Sequence, residues 1–348
     1  MDVMRGGEMR NQVLLSFALV GVFGVFACNQ SDSSLETDES ATSDDPVVSV
    51  VQSPFLGAWS LTRIERRSAE GELVAEPIEN RLGYLIYDAS GHMGVTLMQP
   101  GRQPYQGDEP TADEALALLG SYTSYFGRFS VNEEEGFVTH HLEGSLNPDG
   151  AGSDYQRFFS FGENSLTLQP PAADDGSKAL LTWERLPDLA VDALTETHQK
   201  LFGAYRVESV TRYAEDGTSL DADQYETAFI FYAPSGHMSV HLMRPGRIPY
   251  VGERPSAEEA LLTTETYGSY FGPFSVNEIA GCITCPGPRD GGYLVHHRVG
   301  NENPGGSGTD ARRYFELTDT HLTLRPPPRS DDEGRSVQTA IRWARLTE

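Results

Sequence analysis

The sequence is poor in cysteine, in basic residues and in long hydrophobic runs. Three cysteines among 348 residues are too few for a framework of disulfides. A chain with 26 Lys and Arg against 51 Asp and Glu repels phosphate backbones, so nucleic acid is not an expected partner. Signatures of serine hydrolases, P-loop proteins, zinc proteases and dinucleotide-binding proteins are missing, and we expect no cofactor and no metal.

Residues 1–27 have the pattern of an export signal. Their apolar run, Val13–Phe26, has 14 residues, which is shorter than the roughly 20 that span a bilayer but suits a signal peptide. The run ends at Ala27-Cys28, which resembles the lipobox of bacterial lipoproteins. That resemblance implies a diacylated Cys28 at the mature N-terminus, while an ordinary secretory signal with an incidental cysteine is the alternative.

Residues 28–53 are predicted to be a tether. Between Asn29 and Val50 the chain carries six acidic and no basic side chains among many Ser and Thr, so it has little to bury. Asn29 after the cysteine resembles the sorting pattern of outer-membrane lipoproteins. The predicted location is therefore the outer membrane, through a lipid anchor, on a face that the sequence does not specify.

One long internal repeat organises the rest of the chain. Tyr87–Asn132 aligns without a gap with Tyr232–Asn277, and 28 of the 46 positions are identical. The aligned segment is part of a repeated unit of about 135–150 residues, which is far longer than the roughly 20–50 residues of a solenoid repeat. The repeat therefore indicates two duplicated globular domains. We predict domain 1 over 54–187, a linker over 188–200 and domain 2 over 201–348.

Each unit shows mostly strand patterns. The segments 83–87 and 93–97 alternate around a turn at Ser90-Gly91 and predict a hairpin. Thr111 with Glu114 three residues later predicts a capped helix start. One short helix among about eight antiparallel strands predicts an all-β fold, in which closing the sheet into an up-and-down barrel removes its exposed edges.

At this point the units resemble a family. Together, five motifs make the units similar to the lipocalin-like domain family of bacteria and fungi: Gly57-Ala58-Trp59, Ser-Gly-His-Met, Tyr-Phe-Gly, His-His and Trp-x-Arg. The resemblance implies two tandem barrels with internal cavities. It also implies that Trp59 plugs one barrel end beneath Arg185. Gly203, Tyr205 and Arg345 are the second set, with Tyr in place of Trp.

Histidines are the first candidates for ligand contacts. Neighbouring residues on a strand face opposite sides, so the pairs 140–141 and 296–297 each place one imidazole inward. His140 shares a face with Val138 and Leu142, which favours it as the inward member. A His-His pair cannot chelate one metal, because its rings point apart, so a metal site would need His92 to converge with His140. The functional interpretation of His140 is a polar anchor for a ligand or an acid/base group, and a hydrogen-bonded structural histidine is the alternative. The equivalents in domain 2 are His237 and His296.

Two further sets are candidates for a cavity mouth. Tyr122 and Tyr125 follow the predicted helix with Phe126, and their spacing places them on one side of the helix end. Met98 with Arg102 suits an apolar ligand with a carboxylate head, although its Pro-Gly-Arg loop could equally be rigid and solvated. The matching residues of domain 2 are Tyr267, Tyr270, Met243 and Arg247. Asp154 and Arg157 are predicted to form a structural ion pair.

Cys282 and Cys285 lie in an insertion of about 11 residues in domain 2. In an exported protein they are predicted to form a local disulfide that closes the inserted loop. A redox motif or half of a zinc site is less well supported, because the thioredoxin-like setting and a second cysteine pair are missing.

The sequence thus predicts a membrane-anchored, non-catalytic protein that binds a small hydrophobic or amphipathic molecule. Two alternatives stay open. One is a cofactor-free isomerase, cyclase or hydrolase with His92, His140 and Tyr125 as its acid/base set. The other is a docking module of the cell envelope whose barrels hold no ligand.

Overall fold

The computed structural model describes residues 53–222, 224–278 and 292–347. The signal peptide, Cys28, all but the last residue of the tether, and Cys282 with Cys285 lie outside these residues. Within them, no helix has both the length and the apolar character needed to cross a membrane.

The first domain is a closed eight-stranded barrel, barrel 1. Its strands are β1 (Gly57–Arg67), β2 (Leu82–Tyr87), β3 (His92–Met98), β4 (Tyr122–Asn132), β5 (Phe137–Ser145), β6 (Asp154–Phe161), β7 (Ser165–Gln169) and β8 (Lys178–Arg185). Consecutive strands pair antiparallel, and β8 returns to pair with β1. Helix α1 (Ala112–Ser121) lies between β3 and β4 and begins with the predicted capping box of Thr111 and Glu114.

The second domain, barrel 2, repeats this plan after the short helix α2 (Glu196–Leu201). Its strands are β9 (Gly203–Ala214), β10 (Ser219–Leu220), β11 (Thr227–Tyr232), β12 (His237–Met243), β13 (Tyr267–Asn277), β14 (Tyr293–Arg298), β15 (Gly300–Asn301), β16 (Thr309–Leu317), β17 (His321–Arg325), β18 (Arg329–Ser330) and β19 (Ser336–Arg345). Pairing of β9 with β19 closes it. Helix α3 (Ala257–Thr266) precedes β13. The predicted all-β fold of two tandem barrels, each with a short helix, is confirmed.

Alternation along the strands divides each barrel wall into two faces. On β3, Met93, Val95 and Leu97 belong to the buried hydrophobic cluster inside barrel 1. The intervening Gly94 faces outward, where a Cβ on it would stand 2.6 Å from His241 of barrel 2. The outer face of β3 is therefore buried as well, and all seven residues of this strand are buried.

The two barrels pack against each other through these outer faces. A single buried cluster joins Ala58, Ile86, Met98, Leu118, Tyr122, Phe126 and Leu146 of barrel 1 with Ala204, Phe229, Phe231, Ala233, Met243, Tyr267 and Phe271 of barrel 2. Most of these residues occupy equivalent positions in the two copies, so the interface has approximate two-fold symmetry. Burial of both faces explains why β2 and β11 are almost continuously apolar in sequence.

Candidate functional site

The His-His pairs divide between the inside and the outside of each barrel, as the strand period predicts. His140 and His296 are fully buried and face the two lumens. His141 and His297 lie on the outer walls, each 2.8 Å from an aspartate. The inward assignment of His140 is confirmed, and His296 faces inward in the same way in domain 2.

Two tyrosines hold the inward histidine of barrel 1. The Tyr87 hydroxyl lies 2.6 Å from Nε2 of His140, and the Tyr125 hydroxyl lies 3.2 Å from its Nδ1. These side chains come from β2, β4 and β5, so the network spans the lumen rather than following one strand. Both tyrosines are buried, with Tyr87 1% and Tyr125 7% exposed.

Barrel 2 repeats the network with the same residue types. The Tyr232 hydroxyl lies 2.8 Å from Nε2 of His296, and the Tyr270 hydroxyl lies 2.9 Å from its Nδ1. Tyr87 and Tyr232 were not singled out from the sequence. Their signal was available, since each ends the strand before Ser-Gly-His-Met on the lumen face.

Burial keeps these networks uncharged at neutral pH. Desolvation holds the pKa of His140 and of His296 well below the usual 6.5, and nearby arginines lower both further. Desolvation also raises the pKa of Tyr87 and of Tyr232 well above 10.0. Each network therefore contains a neutral imidazole between two tyrosine hydroxyls.

In this protonation state, one hydroxyl hydrogen of each network is not used by the hydrogen bonds within the network. A neutral imidazole donates from one nitrogen and accepts at the other. Two phenols and one imidazole together have three hydrogens, and the two hydrogen bonds of the network use only two of them. Each lumen therefore offers one hydroxyl hydrogen to a further acceptor.

An arginine adds further donors to each lumen. Arg157 lies on the inward face of β6, its guanidinium stacks 5.0 Å from the ring of Tyr155, and its charge acts on Tyr125 and His140. Arg313 occupies the equivalent position on β16, and its charge acts on His296 and Tyr232. The predicted ion pair of Asp154 with Arg157 is wrong, because Asp154 faces outward and bonds to His141.

One buried indole in each lumen has no hydrogen-bond partner among the described residues. Nε1 of Trp183 and Nε1 of Trp343 are buried without a hydrogen-bond partner in the structure, and the two residues are only 2% and 1% exposed. By contrast, Nε1 of Trp59 donates to the Phe55 carbonyl at 2.8 Å. An unpaired buried N–H is costly, so its occurrence at the same position in both copies marks a place where an acceptor would be stabilised.

His92 and His237 do not converge on the inward histidines. His92 lies on the outer face of β3, where its Nδ1 is 2.9 Å from the Ser90 carbonyl and its ring packs on Phe229 of barrel 2. His237 packs in the same way on Tyr84 of barrel 1. The predicted acid/base set of His92, His140 and Tyr125 is therefore wrong. His92 precedes the inward-facing Met93 on β3, so its side chain lies on the outer face of the barrel wall, whereas His140 lies on the inner face.

The two tyrosines that follow each helix also separate. Tyr122 is both the C-cap of α1 and the first residue of β4, whereas Tyr125 lies further along β4, and residues three apart on a strand face opposite sides. Tyr125 and Tyr270 line the lumens, whereas Tyr122 and Tyr267 lie in the interface between barrels. There the Tyr267 hydroxyl lies 2.9 Å from Ser124 of barrel 1.

The Met and Arg candidates lie in the same interface and not at a barrel mouth. Arg102 donates to the carbonyl oxygens of Asn301 and Glu302 at 2.7 and 2.5 Å. Arg247 donates to those of Ser145 and Leu146, also at 2.7 and 2.5 Å. Met98 and Met243 pack in the shared cluster. The prediction that these residues line a cavity mouth is wrong, and so is the alternative of a solvated arginine. The loops that carry Arg102 and Arg247 each bind the other domain.

The aromatic–arginine pairs implied by the family resemblance are present. The Arg185 guanidinium lies 4.1 Å from the ring of Trp59, and that of Arg345 lies 4.7 Å from the ring of Tyr205. Both guanidinium groups also bind backbone carbonyls of the segment before the first strand. Gly57 and Gly203 have positive φ and leave no room for a side chain beside these arginines.

Two cavities lie outside the lumens. One of about 590 Å³ lies between the barrels and is bordered by Arg185, Asp188 and Arg345. The other, of about 290 Å³, is bordered by Glu143, Glu226 and Arg247. Tyr87 also lines the larger cavity, and neither cavity is lined by Trp183 or Trp343.

The outer walls carry a Ser–His–Asp arrangement in both copies. Ser130 Oγ lies 2.8 Å from Nε2 of His141, whose Nδ1 lies 2.8 Å from Asp154, and Ser275, His297 and Asp310 repeat it. The Asp154 side chain is 65% exposed on an open strand face, so solvent screens the charge on which a triad depends. Within the described residues, no group of three or more His, Cys, Asp or Glu could hold a metal ion.

Comparison with known proteins places this geometry in a family. The sequence profile of a family described as a lipocalin-like domain matches residues 56–186 and again 202–346. No curated protein sequence matches the chain.

Similar solved structures include three proteins from different organisms. The first is an uncharacterized protein from Saccharomyces cerevisiae, with 10% sequence identity and a TM-score of 0.33, and the match covers 62% of this chain and 79% of that chain. The second is a protein with unknown function from Nostoc punctiforme, with 14% identity and a TM-score of 0.21, covering 84% of this chain and 96% of that chain. The third is a putative outer membrane protein from Bacteroides fragilis, with 10% identity and a TM-score of 0.21, covering 86% of this chain and 100% of that chain. These TM-scores are too low to carry an inference about function.

Proposed function

Because the chain belongs to the lipocalin-like domain family, we propose that its barrels bind a small hydrophobic or amphipathic molecule and catalyse no reaction. The observation that carries this proposal is the set of unsatisfied donors in each lumen. The Tyr–His–Tyr network has one hydroxyl hydrogen to give, and the buried indole N–H has no acceptor. Such donors among apolar side chains are typical of ligand pockets.

The lumen determines how such a molecule would lie. Its acceptor, a carbonyl, hydroxyl or carboxylate oxygen, faces Tyr125 and Arg157 in barrel 1. Its apolar part packs on Met93, Val95 and Leu97 of β3, the strand that pairs with β4. The enzyme alternative loses support, because His92 lies outside the lumen and the remaining His140 is neutral between two phenols.

Removing the hydroxyl that faces the ligand should weaken binding. We expect Tyr125→Phe to lower the affinity of barrel 1, and Tyr270→Phe that of barrel 2, by about tenfold, since one hydrogen bond contributes about 1 kcal/mol or slightly more. Binding is measured by native mass spectrometry of the full chain purified gently from its host, in which a carried molecule adds mass that organic extraction removes.

Tyr213→Phe is the matched control, because Tyr213 is 39% exposed on the outer wall of barrel 2. Its affinity should equal that of the unmodified chain. A clean apo mass, together with no thermal shift across fatty acids, sterols and haem, would contradict the proposal. The docking-module alternative would then be favoured.

We further propose that the protein is held at the outer membrane through lipid on Cys28. Two acyl chains anchor a protein stably, whereas one binds only marginally. Cys28→Ser should move the protein from the membrane to the soluble fraction and abolish incorporation of labelled palmitate. Cys282→Ser serves as the control, since it also removes a thiol but should leave the fractionation unchanged. Persistence of the Cys28→Ser protein in the membrane fraction would exclude the lipid anchor.

A further inference from the structure

We propose that barrel 2 selects molecules with an anionic head group, a carboxylate or a phosphate ester, more strongly than barrel 1 does. This inference rests on the ligand binding proposed above and names its chemistry in one barrel. It follows from two differences between otherwise equivalent lumens. Leu142 of barrel 1 is replaced by Arg298, and Tyr155 is replaced by Ala311.

The first difference adds a cation to the lumen face. On β14, Leu294, His296 and Arg298 alternate with outward-facing residues, so Arg298 shares the face of the inward histidine. Its guanidinium lies 5.9 Å from the ring of Tyr270, which itself hydrogen bonds to His296. Its hydrogen bonds go to the backbone and side-chain oxygens of Thr309. Within the described residues, Arg298 forms no ion pair with a carboxylate.

The second difference removes a phenol from beside the histidine. In barrel 1, Tyr155 stands directly across from His140 in the β5–β6 register, and its ring contacts both Tyr125 and the Arg157 guanidinium. In barrel 2, Ala311 stands across from His296. The phenol that covers the polar network of barrel 1 is therefore missing from barrel 2.

The two arginines flank the pair of Ala311 and His296. Arg313 lies two residues after Ala311 on β16, and Arg298 lies two residues after His296 on β14. Their guanidinium groups repel each other, and the charge of Arg329 adds to this repulsion. Asp310 opposes it only from the outer wall, where its carboxylate bonds to His297. A head group with negatively charged oxygens beside Ala311 would relieve the repulsion and accept charge-assisted hydrogen bonds.

Dodecanoate, dodecyl phosphate and dodecanol provide the test, because they share an alkyl chain and differ in the charge of the head group. Binding to the full chain is followed by tryptophan fluorescence. Trp343 is the one tryptophan of barrel 2, so the signal that Trp343→Phe removes reports this barrel. We expect dodecanoate or dodecyl phosphate to bind barrel 2 at least about tenfold more tightly than dodecanol does. Which anion binds more tightly distinguishes a fatty-acid from a phosphate source.

Arg298→Leu restores the residue of barrel 1 and should bring the affinities of anion and alcohol close together. The control, Arg312→Leu, removes the same charge from the outer face of β16, where Arg312 stacks on Tyr293, and should keep the preference. If Arg298→Leu does not fold, added NaCl should weaken dodecanoate binding to the unmodified chain but not dodecanol binding.

Equal binding of anion and alcohol to barrel 2 would overturn the anion preference and leave ligand binding in the lumen intact. Failure of all three probes to affect Trp343 would also overturn it. If the barrel 1 signal stayed unchanged as well, and no mass were carried from the host, the proposed function itself would fail.

Discussion

Replacing both Arg102 and Arg247 by alanine should split the unfolding of this chain into two separate transitions. Each arginine crosses from its own domain to two backbone carbonyls of the other, at 2.5–2.7 Å. Those carbonyls belong to the segments at 145–146 and 301–302, which occupy equivalent places in the repeat. The contacts of Arg102 and of Arg247 are thus the same arginine–carbonyl contact, made twice across the approximate two-fold axis.

The expected effect is large because the arginines are sparsely solvated. Each also stacks 5.1 Å from an interface tyrosine, Arg102 on Tyr122 and Arg247 on Tyr267. A hydrogen bond to a charged group contributes about 1.5–3 kcal/mol, and truncation leaves its buried acceptor unpaired. Two arginines with two bonds each therefore represent several kcal/mol of coupling between the domains, although such contributions are not strictly additive.

Chemical denaturation followed by tryptophan fluorescence measures this coupling. Barrel 1 holds Trp59 and Trp183, and barrel 2 holds Trp343, so the domains can be followed separately with Trp343→Phe. Arg254→Ala is the control, because Arg254 is an exposed residue of the same loop as Arg247. A double variant that still unfolds in one transition at the original midpoint would show that the apolar cluster alone couples the barrels.

The second large effect concerns a buried acid at the same interface. Glu302 is 6% exposed, and its Oε1 has no partner in the structure. Desolvation raises its pKa from 4.5 to about 8, although the charge of Arg102 opposes the shift. Arg102 donates instead to the backbone carbonyls of Asn301 and Glu302 and to Oγ of Ser121. The tyrosines that sense the charge of Glu302 are Tyr105, Tyr122 and Tyr267.

The sign of the effect on stability follows from the direction of this shift. Below pH 4.5 the carboxyl is protonated in both the folded and the unfolded chain. Between pH 4.5 and about 8 only the folded chain retains the proton, so its free energy of unfolding falls as the pH rises. Each pKa unit corresponds to about 1.4 kcal/mol, which makes the total loss a few kcal/mol by pH 8.

Glu302→Gln should remove this contribution, because an amide does not ionise, and Glu302→Leu tests the residue type that domain 1 has at Leu146. At pH 8 we expect both variants to be more stable than the unmodified chain, and at pH 4.5 the difference should vanish or reverse. Thermal unfolding across this range measures it. Glu134→Gln, in the exposed β4–β5 turn, should leave the pH profile unchanged. An identical profile for Glu302→Gln would mean that Glu302 ionises normally.

The sequence predicted the elements that depend on local patterns. Alternation gave the hairpin of β2 and β3, and the Thr111–Glu114 spacing gave the start of α1. The strand period also placed His140 inward and His141 outward, because it depends only on the backbone. The same alternation, extended from Asp154, would have placed Arg157 on the inward face. The spacing instead predicted an ion pair between these two residues.

The functional residues divide according to whether a local rule could place them. Duplication, the barrel fold and the inward histidines follow from repeat, period and family resemblance, which are properties of the chain itself. The convergence of Tyr87, Tyr125 and His140 was decided by the closed barrel, which brings β2, β4 and β5 around one lumen. The roles of Arg102, Tyr122 and their counterparts were decided by docking between the barrels. No pattern within one domain could reveal that docking, because a wall face buried by a second domain reads in sequence like one that faces a cavity.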